Sequence, residues 1–156
     1  MRLSLDDEFV LKLTAWRENR GGGIEGMQSV MNAIVNRAVK ERSTVYNVCT
    51  APEQFSSMTV LGDAGTVRWA KEGNSASWQT WQEADRLAAA AQADRLEDLT
   101  GGATLYYAPA ALAPENRAAV DYRLPAGDTV PFPKGWDRTK VKFTRQVAGQ
   151  LFFVEL

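Results

Sequence analysis

The sequence predicts a mainly α domain of the α+β class carrying one small β-hairpin. Three observations predict it. An apolar stripe at helical spacing runs from Met27 to Ala38, an alanine-rich segment follows Trp78, and two β-rich runs meet at Ala148-Gly149 near the end of the chain. At 156 residues, 45% of them hydrophobic and 24% charged, the chain has the size and make-up of one globular domain over 1–156. Neither an internal repeat nor a low-complexity linker divides it.

The elements follow in order. Ser4, with Asp7 three residues on and an apolar run behind it, reads as a helix N-cap with an acidic capping partner. Phe9, Val10, Leu13 and Trp16 then recur at helical spacing, and Gly21, Gly22 and Gly23 stop that helix. In the second helix Met27, Val30, Met31, Ile34 and Ala38 form one apolar stripe, and Asn32 and Asn36 interrupt it as amides expected to find internal hydrogen bonds. A third helix is predicted from about Trp78 to Leu96, with Trp81, Ala84, Leu87 or Ala88, and Ala91 on one side. TGGATLYYAP reads as a glycine turn and a short strand or loop; the proline-rich 108–138 reads as ordered loop; KVKFTRQVAGQLFFVEL closes the chain as a hairpin. Near the end, Lys134, Arg138, Lys140, Lys142 and Arg145 face Asp137 alone, which fits the solvated side of a half-buried strand and would also attract an anionic polymer.

Composition excludes several function classes. A net charge of −1 argues against a nucleic-acid partner. With no histidine, Ser-His-Asp and Cys-His catalysis and histidine-ligated zinc are impossible, so acid–base chemistry falls to carboxylates, lysine or tyrosine. The lone Cys49 allows neither an internal disulfide nor a thiolate cluster and reads as a small buried apolar residue. No metal or cofactor is expected. No run approaches the ~20 apolar residues of a membrane span. The opening MRLSLDDEFV has no secretory signal pattern, so synthesis in the cytoplasm is expected.

Glu18 stands out on physical grounds. It lies at the C-terminal end of the first helix, where the partial negative charge of the dipole disfavours an ionised carboxylate, and beside the apolar Trp16. A protonated carboxyl group is what a glycosidic leaving oxygen needs from a general acid. Arg17 and Arg20 act in the opposite sense, and the plain alternative is an exposed helix-end glutamate paired with Arg20.

The surrounding residues add a second line of argument. LTAWRENRGGGIEGMQSVMNAIVNR resembles the opening motif of the SleB-type, spore-cortex-lytic cell wall hydrolase family: an aromatic, Glu-x-Arg-Gly, Glu-Gly, then a helix ending in Asn-Arg. Here these are Trp16, Glu18, Arg20, Gly21, Glu25, Gly26, Asn36 and Arg37. PEQFSS, TGGATLYYAP and TRQVAGQLFF are similar to later family blocks and occur in the family's order. Departures are Gly22 where a second glutamate is frequent, Met27 with Gln28 one place late, and Leu105 and Leu151 where histidines are usual.

The resemblance implies a lysozyme-like domain that cuts peptidoglycan glycan strands, with Glu18 as the catalytic acid and base of a lytic transglycosylase. A muramidase that hydrolyses the same bond is the alternative within the enzyme class, and an inactive glycan-binding or phage structural module the alternative outside it. Glu25 reads first as a first-turn helix acid, and it is also the nearest second carboxylate. Glu25, Gln54, Phe55, Thr104, Tyr106 and Tyr107 are the candidate substrate contacts, since sugar faces stack on aromatics while amides and hydroxyls bond sugar substituents. The expected partners are peptidoglycan strands and an inhibitor or immunity protein in the cleft. The protein is expected to be a monomer that reaches the wall as a phage or prophage endolysin or as an injected effector.

Overall fold

The computed structural model describes residues 1–51 and 75–156, with side chains of the second segment from 78 onward. Among them run α1 (Leu5–Asn19), α2 (Gly23–Lys40), α3 (Val45–Thr50) and α4 (Ser75–Gln92). The strands are β1 (Leu105–Tyr107), β2 (Tyr122–Arg123), β3 (Thr129–Val130), β4 (Val141–Val147) and β5 (Gln150–Glu155). The molecule is a mixed α+β domain, as the sequence predicts.

Ser4 caps α1 as expected: its hydroxyl accepts from the Asp7 amide, and the Asp7 carboxylate accepts from the Ser4 amide. α1 packs against α2, α3 and α4 together, so Val10, Leu11, Leu13, Thr14, Ala15 and Trp16 are all buried. Phe9, placed by its spacing with the apolar set, is instead 50% exposed, with the Lys12 ammonium 5.9 Å from its ring centre. The predicted stripe of α2 is buried along its whole length. Both α2 and α4 end in the same way. Arg42 and Asp94 take positive φ, and Ser43 and Arg95 donate back to the carbonyls of Ala38 and Ala90. That closure ends α4 at Gln92, four residues before the predicted Leu96.

The sheet has the order β1-β5-β4, all antiparallel, with β5 in the centre. Ala148 and Gly149, at φ 49° and 78°, make the two-residue turn that the sequence places there. Along β5 the side chains alternate. Phe152, beneath Tyr106, faces Ala33 of α2, while Leu151 and Phe153 face a second core with Leu124, Phe132 and Val141. Residues 108–140 cover that second core with 3₁₀ turns, short bridges and rings.

Candidate active site

α1 ends at Asn19, a 3₁₀ turn spans Arg20–Gly22, and α2 starts at Gly23, whose φ of +68° suits glycine. Asn19 folds over the start of α2. A Cβ on Gly26 would lie 2.7 Å from Asn19 Nδ2 and 3.1 Å from the Asn19 carbonyl, so the close approach requires a glycine. From there Asn19 Nδ2 donates to Gln150 Oε1 of β5 at 3.1 Å. The acid-bearing end of α1 is thus tied to both α2 and the central strand.

A row of amides on α2 positions the opposite wall. Gln28 and Asn32 both donate to the Glu97 carbonyl, at 2.8 and 3.0 Å, and Asn32 Oδ1 accepts from the Leu99 amide. Asn36 donates to the Ala103 carbonyl and to Asp98 Oδ2. The 97–103 loop is therefore clamped to α2 just before it becomes β1. Asp98 also accepts from the Thr100 amide and hydroxyl and from the Gly102 amide. Partial burial alone would raise its carboxyl, yet these hydrogen bonds outweigh it and hold Asp98 below the usual carboxylate range.

Between the two walls lies a cavity of about 450 Å³. Glu18, Ala33, Ile34 and Arg37 line it from the helices; Thr104 to Ala108, Ala111, Trp136 and Gln150 line it from the other side. Glu18 is half-buried on this wall and is the one carboxylate among the described lining residues. Arg20 does not pair with it: its guanidinium lies 4.3 Å from the Trp16 ring centre and donates to the Trp16 carbonyl. Trp16 itself meets Trp81 edge-to-face at 5.7 Å and donates from Nε1 to Thr80.

Tyr106 lies against Phe152, ring centres 5.6 Å apart. Burial first, and then the nearby charge of Glu18, push its phenol well above the ordinary value, so it stays protonated throughout the physiological range. Tyr107 is also pushed up, to about 12, chiefly by burial; its hydroxyl donates to the Pro131 carbonyl at 2.7 Å, which leaves the ring as its face to the cavity. The Thr104 hydroxyl accepts from the Glu155 amide at 3.3 Å, so this side chain both straps the strand edge and lines the cavity. Cys49 is held near 12 mainly by burial, and a thiol so placed is inert.

Glu18, Thr104, Tyr106 and Tyr107 are therefore brought together. Glu25 is exposed on the first turn of α2 and is not part of the cavity lining; Gln54 and Phe55 lie outside the described residues. Arg37, Trp136 and Gln150 join the site without having been singled out as contacts. Arg37 follows Ile34 by three and Ala33 by four, a spacing that could have found it. Trp136 arrives from a region with no signal linking it to Glu18, whereas Gln150 lies in TRQVAGQLFF, one of the blocks similar to the family's. Among the described residues, no group of three or more histidine, cysteine or acidic side chains could hold a metal, and no helix is long and apolar enough to cross a membrane.

A carboxyl group in a cleft with aromatic walls can exchange protons with a polysaccharide laid along it. No curated protein and no solved structure matches the chain. Residues 21–123, more than half of the chain, match the Cell Wall Hydrolase family, the match beginning just beyond Glu18. The chain belongs to the Cell Wall Hydrolase family of the SleB type.

Proposed function

We propose that the protein cleaves peptidoglycan between N-acetylmuramic acid and N-acetylglucosamine as a lytic transglycosylase, with Glu18 as its single acid and base. Protonated Glu18 donates to the glycosidic oxygen as the bond from the muramyl anomeric carbon to that oxygen breaks. The resulting carboxylate then accepts the proton of the muramyl 6-hydroxyl as that oxygen closes on the anomeric carbon. The proton cycle balances, no water is consumed, and a 1,6-anhydro end is left. The Tyr107 and Trp136 rings supply stacking surfaces to the sugars, while the Tyr106 hydroxyl is buried behind the wall.

The observation that carries this reading is that Glu18 is the one carboxylate among the described residues lining the cleft. Hydrolysis by paired carboxylates requires a second acid about 5–9.5 Å from the first, at the distance that suits its stereochemistry. A transglycosylase requires one. A phage lysis system or a secretion machine would carry the protein to its polymer.

Replacing Glu18 with glutamine is expected to slow turbidity loss of purified peptidoglycan by about 10²–10⁴-fold, with the folding transition within about 1 kcal/mol of the parent. Mass spectrometry of the digest should show muropeptides one water lighter than reducing-end products. Reducing ends would instead make the protein a muramidase, and equal clearing by both proteins would remove Glu18 from the chemistry. A parent inactive on several wall types would leave a glycan-binding module.

A further inference from the structure

Arg37 lines the same cavity as Glu18, yet the cleavage chemistry makes no use of it. It projects from the side of α2 that also carries Ala33 and Ile34, about 6 Å along the helix from Ala33. Its side chain is only 21% exposed, and its Nε donates to Glu41 Oε1 at 2.8 Å. Among the described residues Glu41 is its one side-chain partner. That contact uses the Nε edge of the guanidinium and holds its plane, leaving the Nη1 and Nη2 donors for something else. Glu41 is 44% exposed, so the pair is screened by water and contributes little to stability.

Among the described lining residues Arg37 is the one cation, as Glu18 is the one anion. Half-buried guanidinium donors are costly unless matched, and the match their fork geometry favours is a carboxylate gripped by two parallel hydrogen bonds. The sugar rings of the glycan are neutral. Carboxylates enter the polymer only on the muramyl substituent, either as the lactyl group where the peptide has been removed or along the stem peptide itself. Resting on the glycan-cleaving reading above, we propose that Arg37 binds a carboxylate carried by the muramyl unit. The cleft then selects carboxylate-bearing glycan over neutral glycan of the same backbone.

Three substrates test this: sacculus glycan with its stem peptides, the same material with its carboxylates converted to methylamides, and strands stripped to the free lactyl group by an amidase. The parent should act on the untreated glycan with kcat/KM about tenfold to a hundredfold above the methylamide form. Arg37→Gln should bring the two to parity, chiefly by raising KM, and Arg37→Lys should fall between. Preference for the stripped strands assigns the lactyl carboxylate, preference for the peptide-bearing glycan the stem carboxylates, and parity between these two assigns both. A parent indifferent to methylamidation, or an Arg37→Gln protein slowed equally on both forms, overturns the proposal. Co-sedimentation of the Glu18→Gln protein with untreated and methylamidated sacculi separates this outcome from failure of the cleavage reading. Its carboxylate preference should persist without any turnover.

Discussion

The helical half and the sheet half of the molecule are filled with different material. Around α1 and α2 the core is largely aliphatic, with Leu11, Met27, Met31 and Ile34 almost fully buried. Around β5 it is aromatic: the Phe153 ring meets those of Tyr107, Tyr122, Phe132, Trp136 and Phe143 at centre distances of 5.4–6.1 Å. The difference follows the backbone. Helices satisfy their own hydrogen bonds, so soft, adaptable side chains suffice between them. Residues 108–140 have little regular structure, and oriented rings supply the order that a backbone ladder supplies elsewhere. The cleft lies on the seam, with Glu18 lining it from the first half and Tyr106, Tyr107 and Trp136 from the second.

The largest expected effect tests that contrast directly. Phe153→Ala should cost about 3–5 kcal/mol in denaturant unfolding, whereas Met31→Leu should cost less than about 1.5. Equal losses would show that the rings are no more demanding than the aliphatic core. Gly26→Ala should come next, at about 1–3 kcal/mol, because the new methyl group meets Asn19. Clearing activity should fall further than this stability loss accounts for, since Asn19 is the neighbour of Glu18. A variant that unfolds early yet clears normally would break the link between the close contact and the acid.

The smallest effect concerns the loop that joins the halves. Because Asp98 titrates lower in the folded chain than in the unfolded one, its contribution is complete above the unfolded carboxylate range. It fades as the pH falls through the folded value. The thermal midpoint should therefore drop on acidification in that window, and Asp98→Asn should flatten the drop. An unchanged slope would place the acid sensitivity elsewhere, for instance at Asp7, whose carboxyl is also held low against the opposing effect of burial by bonds from Ser4 and Tyr46.

How much was legible depended on the range over which a signal acts. The Ser4–Asp7 cap, the α2 stripe, the bonded Asn32 and Asn36 and the Ala148-Gly149 turn are local or periodic, and each appears in the structure as read. α3 escaped notice because six residues are too few for a helical period to show. The end of α4 moved because Asp94 adopts a left-handed backbone, which alanine-rich sequence on its own does not announce. The position of Glu18 at the end of a helix was legible, but the groove facing it was not. Trp136 reaches that groove through an aperiodic, proline-rich path, and Gln150 reaches it through strand pairing, neither of which leaves a mark near residue 18.

The amide bridge from Asn19 to Gln150 spans 131 residues. During synthesis Glu18 therefore emerges more than a hundred residues before the strand that forms its opposite bank. A chain interrupted before β5 would leave Glu18 without the Gln150 side of its trough. The trough is thus a late product of folding, complete only once β5 has paired between its two neighbours.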